Sequence, residues 1–323
     1  MSTVKDEREK ERLAVVHQFW AALGGRRRIA LPIPEWRVAL AGLAMEMPNF
    51  SAVLDYLAGE FALAELAKQA PVLAPMMLDG PPGVGKTTFA RKLADLFRTS
   101  FISISMETAQ TAAALSGSEQ YWSNSKPGQL FSVLMEGEFA NPVVLVDEID
   151  KARAARDYDP AAALYCLLEP GSAARWSDLS APYLTLDASR VMWILTSNVK
   201  QRVPLPLLSR MRVFDIASLT VDQASQTARR IFAEVVKTLG IDFESELPSA
   251  IAKVMATASP REMRRVAREM VARAVLAGRR QVIADDFGNL GQVAGTTRTT
   301  RMSVTVEVST DTVDDEAATA TKH

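Results

Sequence analysis

Gly80, Pro81, Pro82, Gly83, Val84, Gly85, Lys86 and Thr87 have the spacing G-x-x-x-x-G-K-[ST], a pattern suited to holding phosphates. The glycines let the backbone curl until its amides converge on negative charge, and the N-terminus of a following helix adds its dipole. Lys86 would then reach the β- and γ-phosphates, and the Thr87 hydroxyl would ligate Mg²⁺. The candidate nucleotide contacts here are Gly80, Pro82, Gly83, Val84, Gly85, Lys86, Thr87 and Thr88. Downstream, Val143, Val144, Leu145 and Val146 lead into Asp147 and Glu148. Two adjacent carboxylates at the end of a buried strand are costly unless a cation or a reaction needs them. Asp147 suits a place in the Mg²⁺ shell, and Glu148 suits a general base acting on water. Together the two motifs point to hydrolysis of a nucleoside triphosphate.

These residues need a scaffold that brings distant strand ends to one edge. Between about 72 and 216, short apolar runs alternate with helical segments: VLAPMMLD (72–79), FISIS (101–105), PVVLVDE (142–148), RVMWILTS (190–197) and RVFDI (212–216). Several are apolar at nearly every position, as strands buried on both faces of a parallel sheet must be. The pattern predicts an α/β fold, a doubly wound parallel five-stranded sheet with the phosphate loop after its first strand. One crossover helix is expected to start at Asp159 and Pro160. Beyond Ile216 the strands stop. Thr220 with Gln223, and Ser259-Pro260 with Glu262, are helix-start signatures, and the apolar positions Ile231, Phe232, Val235 and Met263, Val266, Met270 follow at helical spacing. A small helical lid is therefore expected. The predicted divisions are an N-terminal helical extension (1–45), the nucleotide-binding domain (46–217), the lid (218–293) and a largely disordered tail (294–323), within which MSVTVEV has the alternation of a strand.

Composition narrows the class further. With 37 Lys plus Arg against 38 Asp plus Glu, the net charge is -1, which provides no global field for nucleic acid or an anionic membrane. Arg26, Arg27 and Arg28 are the one dense basic run and read as a solvated loop. One cysteine and two histidines exclude a disulfide framework and a Cys/His zinc site. A charged N-terminus and the lack of an apolar run of membrane-spanning length make a cytoplasmic protein the expectation. Tyr121-Trp122, in the polar stretch SEQYWSNSKPGQL, stand outside any core periodicity, since two neighbours cannot both face one core.

GPPGVGKT, VDEIDK (146–151), DPAAALYCLLEP (159–170), ILTSN (194–198) and PLLSRM (206–211), in that order, resemble the AAA+ ATPases, most closely the ATPase module of Lon-type proteases. The resemblance spans roughly 50–290. It implies ATP and Mg²⁺ as ligands and adds three roles: Asn198 at sensor 1, positioning water against the γ-phosphate; Arg210 as the arginine finger that enters a neighbouring subunit, with Arg212 as fallback; and Arg261 as the sensor-2 arginine of the lid. It further implies a homo-oligomeric ring, a hexamer, and a protein client gripped by Tyr121 and Trp122 as a pore loop, with Arg175-Trp176 a second candidate. The chain departs from the family in two ways. No proteolytic domain is expected after the lid, and AMEMPNF (44–50) lacks the family's adenine-pocket pattern. The expected function is an ATP-driven motor that remodels or threads a protein. A DNA-directed AAA+ protein and an ATP-gated activator of a partner enzyme are the alternatives.

Overall fold

A computed structural model of the chain describes residues 14, 24–106, 111–119, 125–152 and 161–287. In chain order the elements are α1 (Trp36–Glu46), α2 (Ser51–Ala67), β1 (Met76–Asp79), α3 (Lys86–Phe97), β2 (Phe101–Ser105), α4 (Thr111–Ser116), α5 (Gln129–Glu136), β3 (Val143–Asp147), α6 (Ala162–Leu167), α7 (Pro170–Ala173), β4 (Met192–Ser197), α8 (Leu205–Leu208) and β5 (Arg212–Asp215). Helices α9 (Val221–Leu239), α10 (Ser249–Met255), α11 (Pro260–Leu276) and α12 (Ala284–Phe287) follow. The five strands fall within the five apolar runs; β2 coincides with its run and the other four are shorter than theirs. The expected start of the crossover helix at Asp159 and Pro160 lies outside the described residues, as do the 294–323 tail and residues 1–13 and 15–23 of the N-terminal extension.

The strands form one parallel sheet in the order β2-β3-β4-β1-β5. β3 and β4 are central and buried along their lengths, which is why they carry almost no polar residue before their C-terminal ends. Alternation sorts each strand between two apolar layers. Met76, Leu78, Val143, Leu145, Met192 and Ile194 face α1, α2 and α3. Met77, Val144, Val146, Trp193 and Leu195 face α5, α6 and α8. Parallel register brings Asp79 level with Ser197 and Asp215, and Ser105 level with Asp147. The polar C-terminal ends therefore share one edge of the sheet, the edge at which open α/β sheets bind ligands.

The lid builds a third core, with Ile231, Phe232 and Val235 of α9 against Met263, Val266 and Met270 of α11. Both expected capping boxes are present. The Gln223 amide donates to Thr220 Oγ1 (3.3 Å) and the Thr220 amide to Gln223 Oε1 (3.0 Å). The Glu262 amide donates to Ser259 Oγ (3.3 Å) and the Ser259 amide to Glu262 Oε2 (2.9 Å). Two orphan donors are thus satisfied at each helix start.

Candidate active site: a phosphate loop under a helical lid

The loop from Gly80 to Gly85 leaves β1 and turns directly into α3. Gly83 (φ 83) and Gly85 (φ 103) occupy the left-handed region that side chains avoid. Gly83 is also tight in space, since a Cβ there would lie 3.0 Å from Ser259 Cβ. The first residue of the lid's α11 cap therefore sits on the phosphate loop itself. Gly80 serves a different need: a Cβ would meet the Ile216 carbonyl oxygen at 2.2 Å, and its amide donates to the Ser197 carbonyl (3.1 Å). It holds the loop's root between neighbouring strand ends, whereas Pro82, Gly83, Val84, Gly85, Lys86, Thr87 and Thr88 line the cleft above.

That cleft, of about 680 Å³, lies within the size range of small-molecule sites. Asp147, Glu148 and Asn198 close it from the sheet side, and Arg261 and Arg264 from the lid. Lys86 is 8% exposed. Its Nζ donates to the carbonyls of Gly80 and Pro81 (3.1 Å to Pro81) and to Asn198 Oδ1 (2.8 Å). Burial lowers its pKa from the usual lysine range, and the charges of Asp147, Asp79, Asp150 and Glu148 oppose that shift. Thr87 Oγ1 donates to Asp147 Oδ2 (3.2 Å). A hydroxyl and a carboxylate this close beside a phosphate loop are the hard oxygen donors that Mg²⁺ prefers, so Thr87 and Asp147 fit the ion.

Glu148 lies one residue past the strand in the left-handed region (φ 60, ψ 48), an uncommon conformation for a side-chain-bearing residue. The turn it makes leads into residues 149–151, where Lys151 Nζ pairs with Glu148 Oε2 (2.9 Å). Asp150, 8% exposed, accepts from the Asn198 amide (3.3 Å). The end of β3 is thereby tied to the end of β4 where sensor 1 is expected.

The remaining predicted residues separate into distinct places. Arg210 is not among the cleft's lining; it donates to the Pro206 carbonyl and pairs with Glu169 (3.6 Å). Arg212, the fallback finger, stacks over Tyr56 (4.3 Å to the ring centroid) and Phe214 (5.5 Å). Tyr121 and Trp122 lie outside the described residues. Trp176 is a correction: it is 5% exposed, exchanges backbone hydrogen bonds with Leu186, and packs in the sheet's second apolar layer, so it is a core residue and not a channel contact. In the basic run, Arg27 donates to the Met135 carbonyl and Arg28 pairs with Glu138.

Several cleft residues have no motif to announce them. Glu46, Met47 and Asn49 come from AMEMPNF, the segment whose pattern departs from the expected adenine pocket. Asn49 Nδ2 donates to the carbonyls of Val84 (3.3 Å) and Ala217 (3.1 Å), joining the phosphate loop to the end of β5. Arg230 of α9 donates to the carbonyls of Glu46 (2.7 Å) and Met45 (3.3 Å). Only their contacts across the fold single them out.

An open parallel sheet of this order, with a phosphate loop after the first strand, paired acids after the third and a helical lid, defines the class of P-loop ATPases. Residues 76–219 match the family described as "ATPase family associated with various cellular activities (AAA)". Lon protease of Halothermothrix orenii is 35% identical over 182 residues, covering 55% of this chain and 22% of that protein. The peroxisomal Lon protease homolog 2 of Zea mays is 30% identical over 249 residues, or 75% of this chain and 27% of that one. The mitochondrial Lon protease homolog 1 of Arabidopsis thaliana is 38% identical over 154 residues, or 47% of this chain and 16% of that one. The chain thus spans between 16% and 27% of the length of these relatives. A mutant RuvB of Thermotoga maritima shares the fold at a TM-score of 0.53 and 18% identity, covering 75% of this chain and 69% of that one. The chain carries an AAA+ ATPase module of the Lon-like kind.

Proposed function

We propose that this chain hydrolyses ATP between its sheet and lid and uses the turnover, as a ring of identical subunits, to pull on or remodel a protein partner. The observation that carries the chemistry is the convergence of Lys86, Thr87, Asp147, Glu148, Asn198 and Arg261 on one cleft. On binding, the Lys86 ammonium exchanges its contacts with Gly80, Pro81 and Asn198 for the β- and γ-phosphates. That exchange frees the Asn198 amide to orient a water. Glu148 takes the proton as the water oxygen bonds to the γ-phosphorus and the bond to the ADP oxygen breaks. Mg²⁺ held by Thr87 and Asp147 would supply neutralising charge at the phosphate oxygens. Arg261 faces the cleft from the first turn of α11, where the helix dipole disfavours a cation and a bound phosphate compensates.

Arg210 does not line its own cleft, as expected of a residue acting in a neighbouring subunit. The Lon-like relatives, long with respect to this chain, support a protein client over DNA. So do the near-neutral charge and the engagement of Arg27 and Arg28 with Met135 and Glu138. We assign Tyr121 and Trp122 to the grip on that client.

Two substitutions test the reading together. Lys86→Ala is expected to abolish nucleotide binding, and Glu148→Gln to retain ATP without hydrolysing it, so that a pull-down with Glu148→Gln in ATP keeps a protein client. Alanine at both Tyr121 and Trp122 in that background is expected to release the client. Hydrolysis by Glu148→Gln at the unmodified rate overturns the general-base role. Salt-sensitive capture of DNA instead of protein overturns the protein-client role.

A further inference from the structure

Thr196 occupies the last turn of alternation in β4, the central and wholly buried strand, and is itself 0% exposed. A hydroxyl at such a site costs free energy unless it is hydrogen-bonded, and a valine would fill the same volume without that cost. The hydroxyl has two partners, both on the neighbouring strand end. Thr196 Oγ1 donates to Asp147 Oδ1 and accepts from the Glu148 amide (2.9 Å). The opposite oxygen of the same carboxylate, Asp147 Oδ2, takes the Thr87 hydroxyl. Asp147 is therefore fixed at both oxygens, with Oδ2 turned toward the phosphate loop. Glu148 is one residue further along, in its left-handed backbone conformation, and its amide is held by the same hydroxyl.

We propose that Thr196 is a positioning residue for the ATPase: through one hydroxyl it aims Asp147 at the ion and sets the backbone from which Glu148 reaches the water. The proposal rests on the ATPase reading above and adds to it a residue that acts through the two acids it is bonded to. The physical reason is that each acid alone has freedom that the site cannot tolerate. A terminal carboxylate torsion is broad and roughly two-fold, and a left-handed non-glycine residue persists only when its surroundings over-determine it. A single buried hydroxyl removes both freedoms, because β3 and β4 are adjacent and their C-terminal ends are level.

The test separates positioning from folding. Full-length wild type, Thr196→Val and Thr196→Ser are titrated with a fluorescent non-hydrolysable ATP analogue, first in EDTA and then with increasing Mg²⁺. In EDTA the three are expected to bind alike. Thr196→Val is expected to need about 10- to 100-fold more Mg²⁺ for half-saturation, the range seen when a partner that orients a metal ligand is removed. Its kcat falls with little change in KM, and Thr196→Ser restores both. Wild-type Mg²⁺ dependence and wild-type kcat in Thr196→Val overturn the proposal. Failure of the wild type to bind the analogue overturns the ATPase reading instead. If Thr196→Val loses the EDTA binding, its fold has changed and the comparison passes to Thr196→Ala against Thr196→Ser; equal Mg²⁺ dependence in that pair also overturns it.

Discussion

Lys86 is a buried cation. Its ammonium is surrounded by two backbone carbonyls and an amide oxygen, and burial depresses its pKa. Two opposite slopes with pH follow. In the free protein the folded-state pKa lies below the unfolded one. Above that lowered value the unfolded chain therefore binds more protons, and this residue's contribution to stability rises with pH. Nucleotide binding needs the charged form, so affinity falls as pH rises through the same region, earlier than for an ordinary lysine. Nucleotide affinity and thermal midpoint of the wild type measured between about pH 7 and 10 are expected to move in opposite directions, and the Lys86 part of the thermal slope is absent from Lys86→Met. An affinity that stays level across this range removes the argument. The residues of the chemistry were legible because their spacing is local: eight consecutive positions form the phosphate loop, and two adjacent ones form the acid pair. Thr196 was not legible, since TSN reads as the polar end of a strand until β3 is seen beside it.

At the scale of elements, helix α11 does two tasks with one cap. Ser259 closes the capping box with Glu262 and also sits against Gly83 in the phosphate loop. Hydrogen bonds from the Ser259 backbone and side chain hold the Glu262 carboxyl below its usual range. Its contribution is therefore present at neutral pH and is lost as acid takes the pH down through that lowered value. Replacing Ser259 by alanine is expected to cost about 1 kcal/mol of stability, read as a lower denaturation midpoint. Nucleotide affinity is expected to fall as well, because the start of α11 and Arg261 lose their fixed place. An unchanged midpoint would mean that the cap contributes nothing. The sequence made the strands and both capped helices readable, because strand burial and capping are patterns of near neighbours. It left α1 and α2 as a stretch of apolar periodicity whose purpose is visible only where Phe50 stacks on Phe89 (4.8 Å between centroids) and Asn49 joins the phosphate loop to β5.

At the scale of the whole molecule, the lid is tied down at two points remote in sequence. Arg230 reaches the backbone of Met45 and Glu46, and Ser259 meets Gly83. The lid thus contacts both the N-terminal helices and the phosphate loop. Arg210 does not line its own cleft, and the proposed ring gives it a neighbour's cleft to complete. A mixing experiment decides this. Arg210→Ala is expected to lose about 10³- to 10⁵-fold in rate, and Lys86→Ala to be inactive. Mixed together, they restore measurable ATPase, because a Lys86→Ala subunit still lends its Arg210 to a neighbour with an intact phosphate loop. No recovery at any mixing ratio would place the arginine in its own subunit or outside the reaction.

From the chain alone came the parallel sheet, the phosphate loop, the acid pair and the capped lid helices. Each of these depends on side chains a few positions apart, whose periodicity or spacing survives without coordinates. Only the tertiary structure decided that Trp176 is core, that Arg212 is spent on Tyr56 and Phe214, that AMEMPNF walls the cleft, and that one buried hydroxyl governs two acids. Those outcomes depend on which strand ends and helix faces come to lie side by side, and residues separated by dozens of positions acquire that relation only when the sheet has closed its order.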